Sequence, residues 1–175
     1  HVPSASELAA TKAKLGLDKI KVDQLHERIR KTMPLVQLDF SSMGEGYTIG
    51  KLSEELDAKG IHNYLVEFGG DMKIKGKKPN GNAWRIAIER PVAKGTTPDQ
   101  APQVYKIMKV KDKSGVTLNT SGTYNRYFDK NGVAYSHILN PATGQPVRYD
   151  LVSASVFGTD PRVSDAWATT MLCLG

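Results

Sequence analysis

Runs with a two-residue apolar period and runs with helical spacing are interspersed along the chain, so strands come as hairpins as often as they alternate with helices. Ser4-Ala5-Ser6-Glu7 is a capping-box pattern, and Leu8, Lys12 and Leu15 follow before Gly16, which predicts a short helix with Gly16 at its C-cap. Between residues 20 and 30, Leu25 and Ile29 suit a helix, whereas Ile20-Lys21-Val22 and Arg28-Ile29-Arg30 suit two strands joined by a turn; strands are the preferred reading. Pro34 introduces residues 35–40, expected as a strand with Val36, Leu38 and Phe40 on one side. The loop Ser41-Ser42-Met43-Gly44-Glu45-Gly46-Tyr47 then opens a helix marked by Ile49, Leu52 and Leu56 and ended by Gly60.

The second half continues the mixture. Residues 64–68 predict a strand that ends in Gly69-Gly70-Asp71. Met72-Lys73-Ile74-Lys75 and Trp84-Arg85-Ile86-Ala87-Ile88 flank Pro79-Asn80-Gly81-Asn82 and predict an antiparallel hairpin with one wet face. Residues 91–102 are rich in Pro, Thr, Gly and Asp and read as a surface loop without chemistry. Residues 116–119 predict a strand, Asp129-Lys130-Asn131-Gly132 a turn, Val133-Ala134-Tyr135 its return strand, and residues 151–157 a strand of mostly buried character. Asp160-Pro161 marks a helix start, and Val163, Ala166, Trp167, Thr170, Met171 and Leu174 follow at helical spacing as its expected buried stripe. Together these elements predict an α+β fold, with mixed or antiparallel sheets flanked by helices.

Composition narrows the class. With 175 residues, 39% hydrophobic and 24% charged, the chain can bury a core as one domain or two small lobes. Its net charge of +6 comes from Lys and Arg spread along the whole length and not interleaved with aromatics, which argues against nucleic acid as a partner. Cys173 lies in an apolar run and reads as a buried thiol, and no run of about 18 apolar residues is present. His1-Val2-Pro3 is not a natural start and Leu172-Cys173-Leu174-Gly175 stops within a helix, so the chain is expected to be a portion of a longer protein.

Four stretches can carry chemistry. His137 sits where a strand breaks into Asn140-Pro141-Ala142-Thr143-Gly144, held yet reachable, as a general base requires; a strand-end cap is the alternative. The glycine-containing joint at residues 41–47 presents helix N-terminal amides suited to phosphate, although strand-to-helix packing also calls for small residues there. Thr120-Ser121-Gly122-Thr123 with Arg126 can accept a polar ligand or form a turn. Asp165 and Thr169, one turn apart, offer two oxygens to a hard cation such as Mg²⁺, or form a solvated helical face.

In register, Leu38-Asp39-Phe40-Ser41-Ser42-Met43-Gly44-Glu45-Gly46-Tyr47, Gly69-Gly70-Asp71, Thr120-Ser121-Gly122-Thr123-Tyr124-Asn125-Arg126, Ser136-His137-Ile138-Leu139-Asn140-Pro141 with Thr143-Gly144, and Ser164-Asp165-Ala166 with Thr169 resemble the motifs of the ApbE family of FAD:protein FMN transferases. The resemblance covers nearly all of residues 1–175, as a central to C-terminal portion incomplete at both ends. It implies Mg²⁺-dependent attack on FAD by a Thr or Ser hydroxyl of an acceptor protein, such as a redox-pump flavoprotein subunit, leaving FMN attached and releasing AMP. It further implies His137 as catalytic base, a metal site of Gly44 (backbone carbonyl), Asp165 and Thr169, and flavin-nucleotide contacts at Ser41, Glu45, Tyr47, Leu139 and Ala168, with roles for Asp71 and Arg126 left open. Two departures stand out: Asn140 where the family commonly has Asp, and Thr123 where an acidic residue is more frequent. The resemblance also implies an exported, periplasmic protein held to the inner membrane through a lipid anchor that this chain does not contain. A Mg²⁺-dependent FAD pyrophosphatase and a non-catalytic FAD-binding protein are the alternative functions.

Overall fold

The computed structural model describes residues 3–91, 103–124 and 126–175. The expected loop at residues 91–102 lies almost entirely outside them. Two units are distinguished, His1–Asp39 with Leu139–Gln145, and Phe40–Ile138 with Pro146–Gly175. No helix among the described residues is long and apolar enough to cross a membrane.

In the smaller unit the capping box forms as expected: Ser4 Oγ accepts from the Glu7 amide, and the Glu7 carboxylate accepts from the Ser4 amide at 2.7 Å, starting α1 (Ala5–Lys12). That helix ends at Ala13 rather than at Gly16, which instead precedes a short 3-10 turn, Leu17–Lys19. The strand reading of residues 20–30 holds, as β1 (Ile20–Asp23) pairs antiparallel with β2 (Arg28–Lys31). Residues 35–40 do not form the expected strand. Among the described residues no strand pairs with them, so only Val36 is buried while Leu38 and Phe40 are exposed. The turn at residues 140–144 is tied by Asn140: its Oδ1 accepts from the Ala142 amide at 2.9 Å and its carbonyl from the Gly144 amide at 2.7 Å. An amide oxygen fills that turn role as well as a carboxylate would.

The larger unit is built on a four-stranded antiparallel sheet of β3 (Tyr64–Phe68), β4 (Asp71–Lys75), β7 (Val116–Gly122) and β10 (Ser153–Gly158), in the order β10-β7-β4-β3. The predicted hairpin between residues 72–75 and 84–88 does not exist. Strand β4 is taken into the sheet between β3 and β7, and β5 (Trp84–Glu89) pairs with β6 (Val104–Val110), a strand the sequence reading left unassigned. Alternation sorts the sheet into two faces. Ile74 and Leu118 pack with Ile86 and Val110 of the β5–β6 ribbon into one core cluster. Asp71, Thr117, Asn119 and Ser121 project to the other face, against α2 (Gly44–Ala58) and α3 (Pro161–Leu174).

That polar face explains the main correction to the helix reading. Asp160 caps α3 through the Arg162 amide and Pro161 opens it, as expected. The buried stripe, however, is Pro161, Ser164, Asp165, Ala168 and Leu172. The expected stripe is turned out, with Val163 at 54% and Trp167 at 48% exposure. A sheet face of hydroxyls and amides needs hydrogen-bonding partners, and α3 meets it with Ser164, whose Oγ lies 2.8 Å from Thr117 Oγ1. Asp165 and Thr169 thus occupy the inner face, not a solvated one. Cys173 is half-buried beside Leu172, and burial pushes its thiol up from the ordinary range.

Candidate active site

Helices α2 and α3 touch at Gly46. A Cβ at that position would stand 2.3 Å from the Pro161 carbonyl oxygen and 2.8 Å from Asp165 Cβ, so only glycine permits the approach. The consequence is chemical: the Gly46 amide, in the first turn of α2, donates to Asp165 Oδ2 at 2.8 Å. Asp165 is only 7% exposed. Burial raises its pKa from the ordinary 3.8 to about 6, the Gly46 amide opposes the rise, and the carboxylates of Asp71 and Glu45 add to it.

Asp71, at the start of β4, is 3% exposed and is held by β7: Asn119 Nδ2 donates to Oδ2 and the Thr120 amide to Oδ1, each at 2.8 Å. Burial raises its pKa, and these two donors oppose the rise. Glu45 lies against Gly69, where a Cβ would sit 2.5 Å from its carboxyl carbon; burial and the Asp71 charge raise its pKa while Arg126 lowers it. Three carboxyl groups from α2, α3 and β4 therefore feel one another. Among the described residues none of the three has a cationic partner within ion-pair distance, and Asn119 Oδ1 is buried without a hydrogen bond.

A hard cation would be met here by Asp165 together with hydroxyl and carbonyl oxygens rather than by the three carboxyl groups. No three His, Cys, Asp or Glu side chains among the described residues form a metal cluster, so the ligands would be mixed oxygens. The Thr169 hydroxyl is 2.9 Å from Ser121 Oγ, and when Thr169 donates to Ser121 its lone pairs remain available. The Gly44 carbonyl, first in α2, accepts from Thr48 Oγ1 at 3.0 Å besides its helical bond from the Thr48 amide, so it would meet a cation with the Thr48 hydroxyl turned away.

His137 follows β9 (Val133–Ser136), which pairs with β8 (Tyr127–Lys130) around the expected turn, where Asn131 and Gly132 both have positive φ. The ladder extends one step further, because the His137 amide donates to the Arg126 carbonyl at 3.2 Å. His137 Nδ1 lies 2.9 Å from the same oxygen. A carbonyl only accepts, so Nδ1 carries a proton, and in the neutral tautomer the free lone pair is on Nε2. The ring is exposed, and Arg126 links this hairpin end electrostatically to Glu45.

The other expected contacts are dispersed. Ser41 is exposed, as is Tyr47, over whose ring Lys51 Nζ lies at 5.9 Å, while Ala168 is fully buried on the inner face of α3. Leu139 is exposed and belongs to the smaller unit. Sequence reasoning missed Gly46, Asn119 and the Ser121–Thr169 pair. The signal was the alternation of Thr117, Asn119 and Ser121 along β7, polar residues that face helices rather than water.

An α+β chain with a buried carboxylate at a helix junction and an oriented strand-end imidazole has an enzyme-like site. The ApbE family profile matches residues 1–175, and the chain belongs to that family. It is 34% identical over 177 residues to the FAD:protein FMN transferases of Salmonella typhimurium and Escherichia coli, covering 100% of this chain and 48% of theirs. Among solved structures, the apo form of Pseudomonas stutzeri flavinyl transferase ApbE superposes with a TM-score of 0.82 at 35% identity, over all of this chain and 50% of that one. The Vibrio cholerae flavin transferase ApbE gives 0.83 at 32% identity, over 100% and 52%. The chain thus spans about half the length of the relatives it matches.

Proposed function

We propose that this chain carries the chemical centre of an FAD:protein FMN transferase. The names of its relatives support the reaction class, and the observation that carries the reading is Asp165, a buried carboxylate among two others with no cationic partner among the described residues. In the proposed reaction an acceptor Thr or Ser hydroxyl oxygen forms a bond to the FMN-side phosphorus of FAD. The bond from that phosphorus to the AMP oxygen breaks, and AMP leaves. His137 Nε2 takes the hydroxyl proton, since a neutral alcohol is a weak nucleophile. Asp165, Thr169 and the Gly44 carbonyl would hold Mg²⁺, which supplies charge neutralisation for the pyrophosphate. The amides of Gly44 and Glu45, at the start of α2, would add to that neutralisation.

Exposure of His137 favours one second reading, in which water replaces the acceptor and free FMN and AMP result. Residence of the natural protein outside the cytoplasm, on a lipid anchor, belongs to the same proposal, and cell fractionation tests it. The functional test incubates the protein with FAD, Mg²⁺ and a flavin-free acceptor domain. Covalent in-gel flavin fluorescence that disappears with EDTA supports transfer, and free FMN without an adduct supports hydrolysis.

A further inference from the structure

The β8–β9 ribbon has two faces, and the one bearing His137 is distinctive. Phe128 stands directly opposite Tyr135, Lys130 opposite Val133, and the extended ladder sets Arg126 opposite His137. By two-residue alternation these pairs share one face, whereas Asp129 projects to the other and accepts from the Gly132 amide at 3.0 Å. The Phe128 and Tyr135 rings are stacked, with centroids 4.9 Å apart and planes 6° from parallel. The Arg148 guanidinium, from beyond the ribbon, lies 4.6 Å from the Tyr135 centroid. Phe128 is 51% exposed, and Lys130, His137 and Arg148 are also exposed. The His137 face of the ribbon therefore presents an ordered row of guanidinium, phenol and phenyl with further cations at both ends, and none of its ribbon residues is acidic.

We infer that this face docks the acceptor polypeptide, as an extended acidic segment with its hydroxyl residue at His137. The inference rests on the transferase reading and names the partner of that same site. Residues two apart in an extended segment are about 7 Å apart, the spacing between His137 and Tyr135 along the strand, so a neighbour two positions from the hydroxyl residue meets the stack. Acidic neighbours meet Arg148 and Lys130, which supplies charge complementarity, and the rings supply apolar contact.

The test uses the natural protein and a fluorescein-labelled ten-residue peptide with one central Thr flanked by Asp and Glu, beside a peptide with Lys in their place. Fluorescence anisotropy gives the peptide Kd, titration gives the FAD Kd, and mass spectrometry reports FMN transfer separately. The expected result is binding of the acidic peptide only, weakened about tenfold or more by Arg148→Glu and by Phe128→Ala, with the FAD Kd unchanged. Both side chains are exposed, and thermal melting checks that each variant folds. Equal Kd values for wild type and variants, no peptide binding by the wild type, or a weakened FAD Kd in the variants would overturn the docking assignment, the last by giving the stack to the dinucleotide. Arg148-dependent peptide binding without FMN transfer would uphold docking while the transferase reading fails.

Discussion

Replacing Asp165 by Asn tests the buried carboxylate at the α2–α3 junction. The folded protein raises this group from 3.8 to about 6, so folding favours its protonated form. Its contribution is fully retained below about pH 3.8 and is lost as pH rises through about 6. Above that the wild type carries an ionised, buried carboxylate among the charges of Asp71 and Glu45, a difference of about 3 kcal/mol from an ordinary aspartate. Asparagine keeps the acceptor for the Gly46 amide and removes the charge, while its new amide N–H groups offset part of the gain. A net gain of roughly 1–3 kcal/mol corresponds to a Tm increase of about 2–10 °C for a chain of this size. The assay is thermal unfolding of both proteins in EDTA at pH 4 and pH 8. The variant should melt higher at pH 8 with a much smaller difference at pH 4, and added Mg²⁺ should raise only the wild-type Tm. A variant less stable than wild type at pH 8, or an equal difference at both pH values, would refute the electrostatic reasoning.

Other expectations follow from single contacts. His137→Ala should reduce FMN transfer by a factor of roughly 100 or more, leaving FAD binding measured by titration unchanged. Gly46→Ala forces a methyl group against the Pro161 carbonyl and Asp165, and should lower stability by about 1–3 kcal/mol in denaturant titration. Asp71→Ala leaves Asn119 Nδ2 and the Thr120 amide without their acceptor and should cost about 2–4 kcal/mol, whereas Asp71→Asn should cost less because one oxygen remains.

Local signals were legible where short-range chemistry decides the structure. The capping box at Ser4, the Asp160-Pro161 helix start and the Asn131-Gly132 turn each need only neighbouring residues, and each formed as expected. Strand pairing is non-local, and there the reading failed: β4 and β5 are neighbours in sequence, yet β4 finds β7 and β5 finds β6. The face of α3 was misread because apolar spacing assumes an apolar partner. Its partner is the hydroxyl and amide face of β7, which draws Ser164, Asp165 and Thr169 inward and leaves Val163 and Trp167 outside. Asp165 and His137 could be picked out from sequence, but the Gly46 amide, the Asn119 support of Asp71 and the Nδ1 anchor on Arg126 depend on tertiary approach.

FMN transfer is read most directly from the intact mass of a flavin-free acceptor domain after incubation with this protein, FAD and Mg²⁺, in parallel with EDTA and with His137→Ala. The acceptor is expected to gain the mass of one FMN less one water, with AMP released in equal amount, and neither control to show a gain. An unmodified acceptor beside free FMN, or full modification by His137→Ala, would contradict it.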